Sequence, residues 1–405
     1  MKDKKQFVKG IIAGFVIALI LAEGAMLGRN FLESREDSAK EESGQLNLTG
    51  ASVETKLDEI QALMETYYLE EIDADQVENY LYKGAVAGLG DIYAAYYTKE
   101  EYQSMIDSTN GSYYGIGVEI SQNMTTGIIT ISRIFEGSPA EEAGLLPGDV
   151  MYKIAGQEVT GEDLNKVVAL IKGEEHTTVA VEVARDGEDD YLEFEVERRT
   201  IEVPTVESEM LENQIGYIAI SSFDDVTTDQ FITALDNLES QGMKALVVDL
   251  RNNGGGLVSS VCAILDRLLP EGLIVYTEDK YGNREEEYSD ADHYFDKPLA
   301  VLVNGNSASA SEIFAGAIKD YGIGTLVGTT TYGKGIVQKI YPLSDGTAVK
   351  LTVSKYYTPN GNNIHGTGIE PDVVVELDKR LQNTVEVPRE EDNQLQAAVE
   401  ALQGN

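Results

Sequence analysis

The chain of 405 residues is poor in the side chains on which many active sites are built: one cysteine, three histidines and no tryptophan. A single cysteine excludes an internal disulfide framework. Cys262 lies inside SSVCAILDRLL on a helix-like apolar face and reads as a buried structural thiol. His176, His293 and His365 each stand alone in polar or glycine-rich stretches, with no HExxH, no CxxC and no histidine pair at helical spacing. No metal site and no resident cofactor are therefore expected. Positive charge is scarce as well, with 31 Lys and Arg against 70 Asp and Glu and a formal net charge of −39. The acidity runs along the whole chain. It repels phosphate backbones, which argues against nucleic acid as a partner, and it disfavours contact of the folded part with anionic lipid. What is present is an apolar share of 42%, enough for real cores, in a length that admits two or three domains.

One apolar run stands out at the N-terminus. MKDKKQFVKG carries four lysines, and GIIAGFVIALILAEGAML follows with Glu23 as its only charge. Lysines ahead of an apolar run place the N-terminus in the cytoplasm and the remainder across the membrane. The uncharged stretch Gly10–Ala22 has 13 residues, the length of a signal-peptide core, whereas extension to Gly28 gives 19, enough to span. Glu23 occupies the minus-three place before Ala25 and spoils a small-x-small cleavage site. The expectation is an uncleaved single-pass anchor over 1–28, followed by a polar linker over 29–50. The rest would then lie on the extracytoplasmic side, with a bacterial cell membrane suggested by the acidic bias and the single segment.

Residues 51–112 read as helical: in VETKLDEIQALMETYYL, Val53, Leu57, Ile60, Leu63 and Met64 recur at helical spacing, and further helices are predicted near 75–89 and 99–107. Residues 113–200 change to short strands, broken by the helices SPAEEAG and EDLNKVVALIKG and by a hairpin at ARDGEDD. SPAEEAGLLPGDVMYKIAGQEV (138–159) carries a resemblance to a PDZ domain, with the small helix, the Gly-Asp and the next strand in that family's order. YYGIGVEI would be its carboxylate-binding loop and edge strand, so Gly115, Ile116 and Gly117 are candidate peptide-binding residues. Such a module adds an extended peptide to a sheet edge and takes its terminal carboxylate on backbone N–H groups. From 201 to 380 apolar runs alternate with helices, the pattern of a mostly parallel sheet covered on both faces. Residues 381–405 read as a polar tail ending in a short amphipathic helix. The fold class is therefore multidomain α/β.

Chemistry in such sheets gathers beyond the carboxyl ends of the strands. Two loops fall there: NNGGG after ALVVDLR, and NGNSASAS before a helix. Ser309-Ala-Ser-Glu312 fits a capping box, and Ser309 can be read simply as a helix N-cap. The same position also suits a nucleophile, because the following N–H, that of Ala310, points where an oxyanion would form. A glycine of Gly254–Gly256 could supply a second donor. No histidine is well placed to accept the serine proton. A lysine made neutral by burial can do so, and Lys334 in TYGKGIVQ is the candidate, with Gln338 four residues on to hold its amine.

Taken together, VVDLRNNGGG, VLVNGNSASASEIFAGAIKDYG and VGTTTYGKGIVQ resemble the carboxy-terminal processing (tail-specific) proteases over about 52–380. The resemblance implies a serine peptidase with a Ser/Lys dyad: Ser309 as nucleophile, Lys334, 25 residues later, as base, Gln338 as its partner, and the N–H groups of Ala310 and Gly255 as oxyanion donors. It further implies protein substrates with free, apolar C-terminal tails, and a homodimer through regions outside these motifs. Two other readings compete. GTTTYGKG matches a phosphate loop, but Gly335 replaces the Ser or Thr and a strand pattern follows instead of a helix. An inactive membrane-anchored PDZ scaffold would be signalled by loss of the serine, the lysine or the glycine loop, and all three are present.

Overall fold

The computed structural model describes residues 46–403 except 291, 383, 385 and 386, so the expected anchor and most of the linker lie outside the described residues. The chain divides into two units between Tyr96 and Tyr97. In the first, helices α1 (Ala51–Tyr67) and α2 (Ala74–Ala87) form where the periodicity predicted helix. Asp73 caps α2 by accepting the Gln76 N–H at 2.9 Å. Neither helix has a fully buried residue. Leu57, Ile60, Met64, Val77 and Leu81 instead line an open apolar cleft within this unit. A three-residue strand β1 (Ala95–Tyr97) spans the division.

The second unit begins with α3 (Lys99–Asn110), opened by a capping box of Thr98 and Glu101. Next come strands β2 (Ser112–Gly115), β3 (Val118–Gln122) and β4 (Ile129–Ile134), helix α4 (Pro139–Ala143), then β5 (Val150–Ile154) and β6 (Gln157–Glu158). Helix α5 (Leu164–Ile171), β7 (Thr178–Ala184), β8 (Leu192–Glu197) and β9 (Arg199–Glu202) complete this part. The sheet order is β3-β4-β5-β7-β8, with β6 beside β5, which leaves β3 on an edge. Alternation makes it fold this way: Val179, Val181 and Val183 of β7 point into one core with Ile116, Ile131 and Met151. The Gly-Asp of the motif has a structural cause, since the buried Asp149 carboxylate takes two N–H bonds from Arg185, each 2.7 Å. Strands β2 and β9 pair antiparallel, so the chain enters and leaves this part side by side.

The remainder holds β10 (Val206–Leu211), β11 (Ile215–Ile220), α6 (Thr227–Ser240), β12 (Ala245–Asp249), α7 (Val258–Asp266), β13 (Gly272–Asp279) and β14 (Arg284–Ser289). It continues through β15 (Leu299–Val303), α8 (Ala310–Tyr321), β16 (Thr325–Gly328), β17 (Ile336–Pro342), β18 (Ala348–Tyr357), β19 (Val373–Val374) and α9 (Asn393–Gln403). The central sheet runs β10-β11-β12-β15-β16-β19 and is parallel except at β10/β11. Strands β12 and β15 are buried along their whole length, as continuous apolar runs covered on both faces must be. Helices α6, α7 and α8 pack into the core on one face. Leu395, Ala398 and Leu402 of α9 close the other against Tyr217, Val247, Ala300 and Val327.

The expected mostly parallel arrangement needs one correction: the sheets are mixed. GLIVYTE, read with the parallel strands, is β13, and it pairs antiparallel with both β14 and β18. The reason is local. Asp279 accepts the N–H groups of Tyr281 and Asn283 and closes a tight turn that sends the chain straight back. Among the described residues no helix is long and apolar enough to cross a membrane.

Candidate active site

The loops after β12 and β15 lie against each other at the carboxyl ends of two neighbouring parallel strands. Asn253 joins them. Its side chain is fully buried and donates to the Ile220 C=O at 2.8 Å, while its own C=O accepts the Ala308 N–H at 3.0 Å and the Ser311 hydroxyl at 2.9 Å. The Ser307 hydroxyl donates to the Leu250 C=O at 2.7 Å. Two of the three alternating serines are thus fully buried and committed to pinning one loop on the other. Ser309 is the third. It is half-buried at the head of α8, with φ 55° and ψ −115°, a left-handed backbone rare for a residue with a side chain. Such a conformation costs on the order of 1–3 kcal/mol and persists only where the surroundings enforce it.

Ala310 and Gly255, the two residues expected to donate, both lie next to Ser309. The Ala310 N–H opens the first turn of α8, where no intrahelical acceptor exists. Gly255 packs against the serine so closely that a Cβ there would meet the Ala308 C=O and Ser309 Cβ, each at 2.7 Å, and its φ of 104° disfavours any side chain. Its N–H donates to the Asn253 Oδ1 at 2.8 Å. The Ser309 C=O accepts from the hydroxyl of buried Tyr356 at 3.2 Å. Burial, helped by the charge of Glu312, pushes that phenol well above its ordinary pKa and keeps it a donor.

Lys334 is half-buried in the loop between β16 and β17. Its flanking glycines are required by backbone packing: a Cβ on Gly333 would lie 2.9 Å from the Gly368 N, and one on Gly335 would lie 2.6 Å from the His365 N. The lysine loop reaches the serine loop through Glu312. That carboxylate has no exposed surface and accepts four hydrogen bonds. They come from the Ser309 N–H at 3.0 Å, the Thr331 hydroxyl at 2.6 Å, the Gly333 N–H at 2.7 Å and the Lys334 N–H at 2.8 Å. Gln338 follows in β17, half-buried, with its Nε2 3.4 Å from the Thr352 hydroxyl. It lines a cavity of about 580 Å³ together with Val258, Cys262, Val275 and Val337.

Two comparisons with known proteins bear on this site. Residues 214–375 match peptidase family S41 and residues 130–185 match a PDZ domain. The carboxy-terminal processing protease CtpB of Bacillus subtilis is 35% identical over 373 residues, covering 89% of this chain and 77% of the relative. The carboxyl-terminal-processing protease of Synechocystis is 38% identical over 309 residues, covering 75% and 72%. The chain belongs to the carboxy-terminal processing proteases of peptidase family S41. It is a serine protease that carries a PDZ domain. Among solved structures, one from Bacteroides fragilis assigned to the S41 proteases aligns with a TM-score of 0.51 at 19% identity, covering 85% of this chain and 97% of that one, and bears on the fold alone.

Other polar and titratable groups of the protease fall outside this cluster or serve structure. Cys262 is buried, and burial first, then the charge of Glu287, pushes its thiol up to about 12. Its part is a wall of the cavity. Asp320 accepts the Asn360 N–H at 2.8 Å and anchors the turn after β18. His176 pairs with Glu197 in the PDZ part. After Lys334 the chain forms β17, so the helix a phosphate loop needs is absent there. In the PDZ part, Ile116 has its side chain in the core and its C=O bonded to the Ala140 N–H at 2.9 Å. A Cβ on Gly117 would lie 2.3 Å from Ser138 Cβ, which is why glycine stands there. Among the described residues no cluster of metal-ligating side chains occurs. Asn253, Thr331 and Tyr356 were not visible as site residues in the sequence, and Glu312 was visible only as the fourth member of a capping box.

Proposed function

We propose that this protease is a membrane-anchored, extracytoplasmic endopeptidase that cleaves with a Ser309/Lys334 dyad and selects substrates by their free C-terminus. The observation that carries the catalytic part is the left-handed Ser309 at a helix N-terminus, between two serines whose hydroxyls are already committed and joined through Glu312 to the Lys334 loop. In this reading neutral Lys334 takes the Ser309 proton, and Oγ attacks the scissile carbonyl. The developing oxyanion receives the Ala310 N–H. The Gly255 N–H is its second donor, and an oxyanion must either share that hydrogen with Asn253 Oδ1 or displace it. Lys334 then protonates the leaving amine, water attacks the acyl-enzyme, and Gln338 orients the lysine amine.

Substrate selection rests on the PDZ part. Strand β3 is an edge, with Val118 and Ile120 partly exposed beside the core, and an extended tail can pair along it. The glycine loop at Gly115, Ile116 and Gly117 would take the terminal carboxylate. Anchoring rests on the lysine-flanked apolar run at the N-terminus, and a homodimer rests on the apolar cleft between α1 and α2.

The test uses the full chain in detergent with an unstructured protein substrate, its C-terminus free or amidated, and mass spectrometry of the fragments. Wild type is expected to cut the free form faster, and Ser309→Ala and Lys334→Ala are expected to lose at least about 1000-fold in rate. A Lys334→Ala variant that still cuts removes the dyad. Equal cutting of the amidated form removes the PDZ role.

A further inference from the structure

We propose that Glu312 is a positioning residue of the reaction: its carboxylate holds the backbone of Lys334 in register with Ser309 and maintains the strained conformation of the nucleophile. The inference rests on the Ser309/Lys334 reading given above. A capping box accounts for only one of the four bonds, the 3.0 Å bond from the Ser309 N–H. The other three come from Thr331, Gly333 and Lys334, 19 to 22 residues away in sequence. A carboxylate has about four acceptor sites, and all four are filled. With no exposed surface, it is compensated for lost hydration only by these bonds.

The division between the two oxygens is specific. Oε1 takes the Thr331 hydroxyl and the Gly333 N–H, and Oε2 takes the Ser309 and Lys334 N–H groups. One oxygen therefore bridges the nucleophile's backbone and the base's backbone directly. Glutamine has the same shape but must turn an NH₂ toward either the Gly333 N–H or the Ser309 and Lys334 N–H groups, so at least one attractive contact becomes repulsive. A structural cap would not need the charge; this bridge does.

The experiment measures the rate at which a fluorophosphonate probe labels Ser309, and kcat and KM on an unstructured protein, for the full-length protease in detergent. Glu312→Gln is expected to be labelled about 100-fold more slowly and to lose kcat alike, with KM within about twofold of wild type. Unchanged labelling, or a loss carried by KM with kcat unchanged, overturns the proposal. If Glu312→Gln does not fold, Thr331→Val removes one of the four bonds: labelling about 10-fold slower, restored by Thr331→Ser, supports the clamp, and labelling at the wild-type rate overturns it. Ser309→Ala run alongside identifies the other failure. If that variant is still labelled at the same rate, the Ser/Lys reading itself falls and takes this proposal with it.

Discussion

A single cysteine in a protease invites the question whether it reacts. The burial of Cys262 gives the answer in numbers. A thiol held at about 12 is almost entirely protonated at neutral pH, and only the thiolate is a nucleophile. At pH 8 the folded protein should react with iodoacetamide more than about 100-fold slower than the chain in urea, where the ordinary pKa near 8.5 returns. Comparable rates in the two conditions would contradict the assigned burial. The sign of the linked stability follows. The folded state holds this proton more tightly, so the contribution is complete below about pH 8.5 and is lost as pH rises toward the folded value of about 12. The same reasoning separates Ser309 from its neighbours: Ser307 and Ser311 are buried with bonded hydroxyls, and only Ser309 presents a strained backbone at a helix start.

At the scale of elements, the last helix is a working part of the core. Asp392 accepts the N–H groups of Gln394 and Leu395, each at 3.0 Å, and so caps α9. Its other bonds go to Arg251, at 2.7 Å through Oδ2, and Arg251 also pairs with Asp249 at the end of β12. The triad is nearly buried, and truncating one partner leaves an uncompensated charge inside the protein. Asp392→Ala is expected to destabilise the protease core by about 3 kcal/mol or more. That should appear as a fall of several degrees in its melting temperature, against an unchanged transition for an exposed control such as Glu390→Ala. An equal melting temperature would mean that water replaces the carboxylate. Arg251 begins the run that leads to the glycine loop, so this helix supports the site from behind the sheet.

For the whole molecule the dominant fact is charge. A net −39 surrounds the folded parts with a field that attracts basic and repels acidic segments at low ionic strength. Cleavage of a peptide with lysines upstream of an apolar C-terminus should therefore slow as salt rises from about 0.02 to 0.5 M, in kcat/KM and not in kcat. An acidic counterpart should show the opposite slope. Parallel salt curves for the two peptides would show that the field does not steer substrate. The pairing of β2 with β9 adds an architectural point: the strands by which the chain enters and leaves the PDZ part form a two-stranded sheet of their own.

Read alone, the sequence determined what depends on neighbours along the chain. Periodicity marked α1 to α3, apolar runs marked β12 and β15, Ser-Pro and Gly-Asp marked the PDZ part, and the serine, lysine and glycine motifs marked the family. Its sheet description failed at β13, where a tight turn rather than a crossover decided the direction of pairing. What only the tertiary structure decided is how distant segments meet. Asn253 links two loops more than 50 residues apart, Glu312 gathers donors from across a helix and a strand, and Arg251 meets Asp392 over a separation of 141. The reason is physical. Local signals report backbone preference and which face is apolar, whereas a buried polar group finds its partners in space, and nothing in its own neighbourhood states who they are.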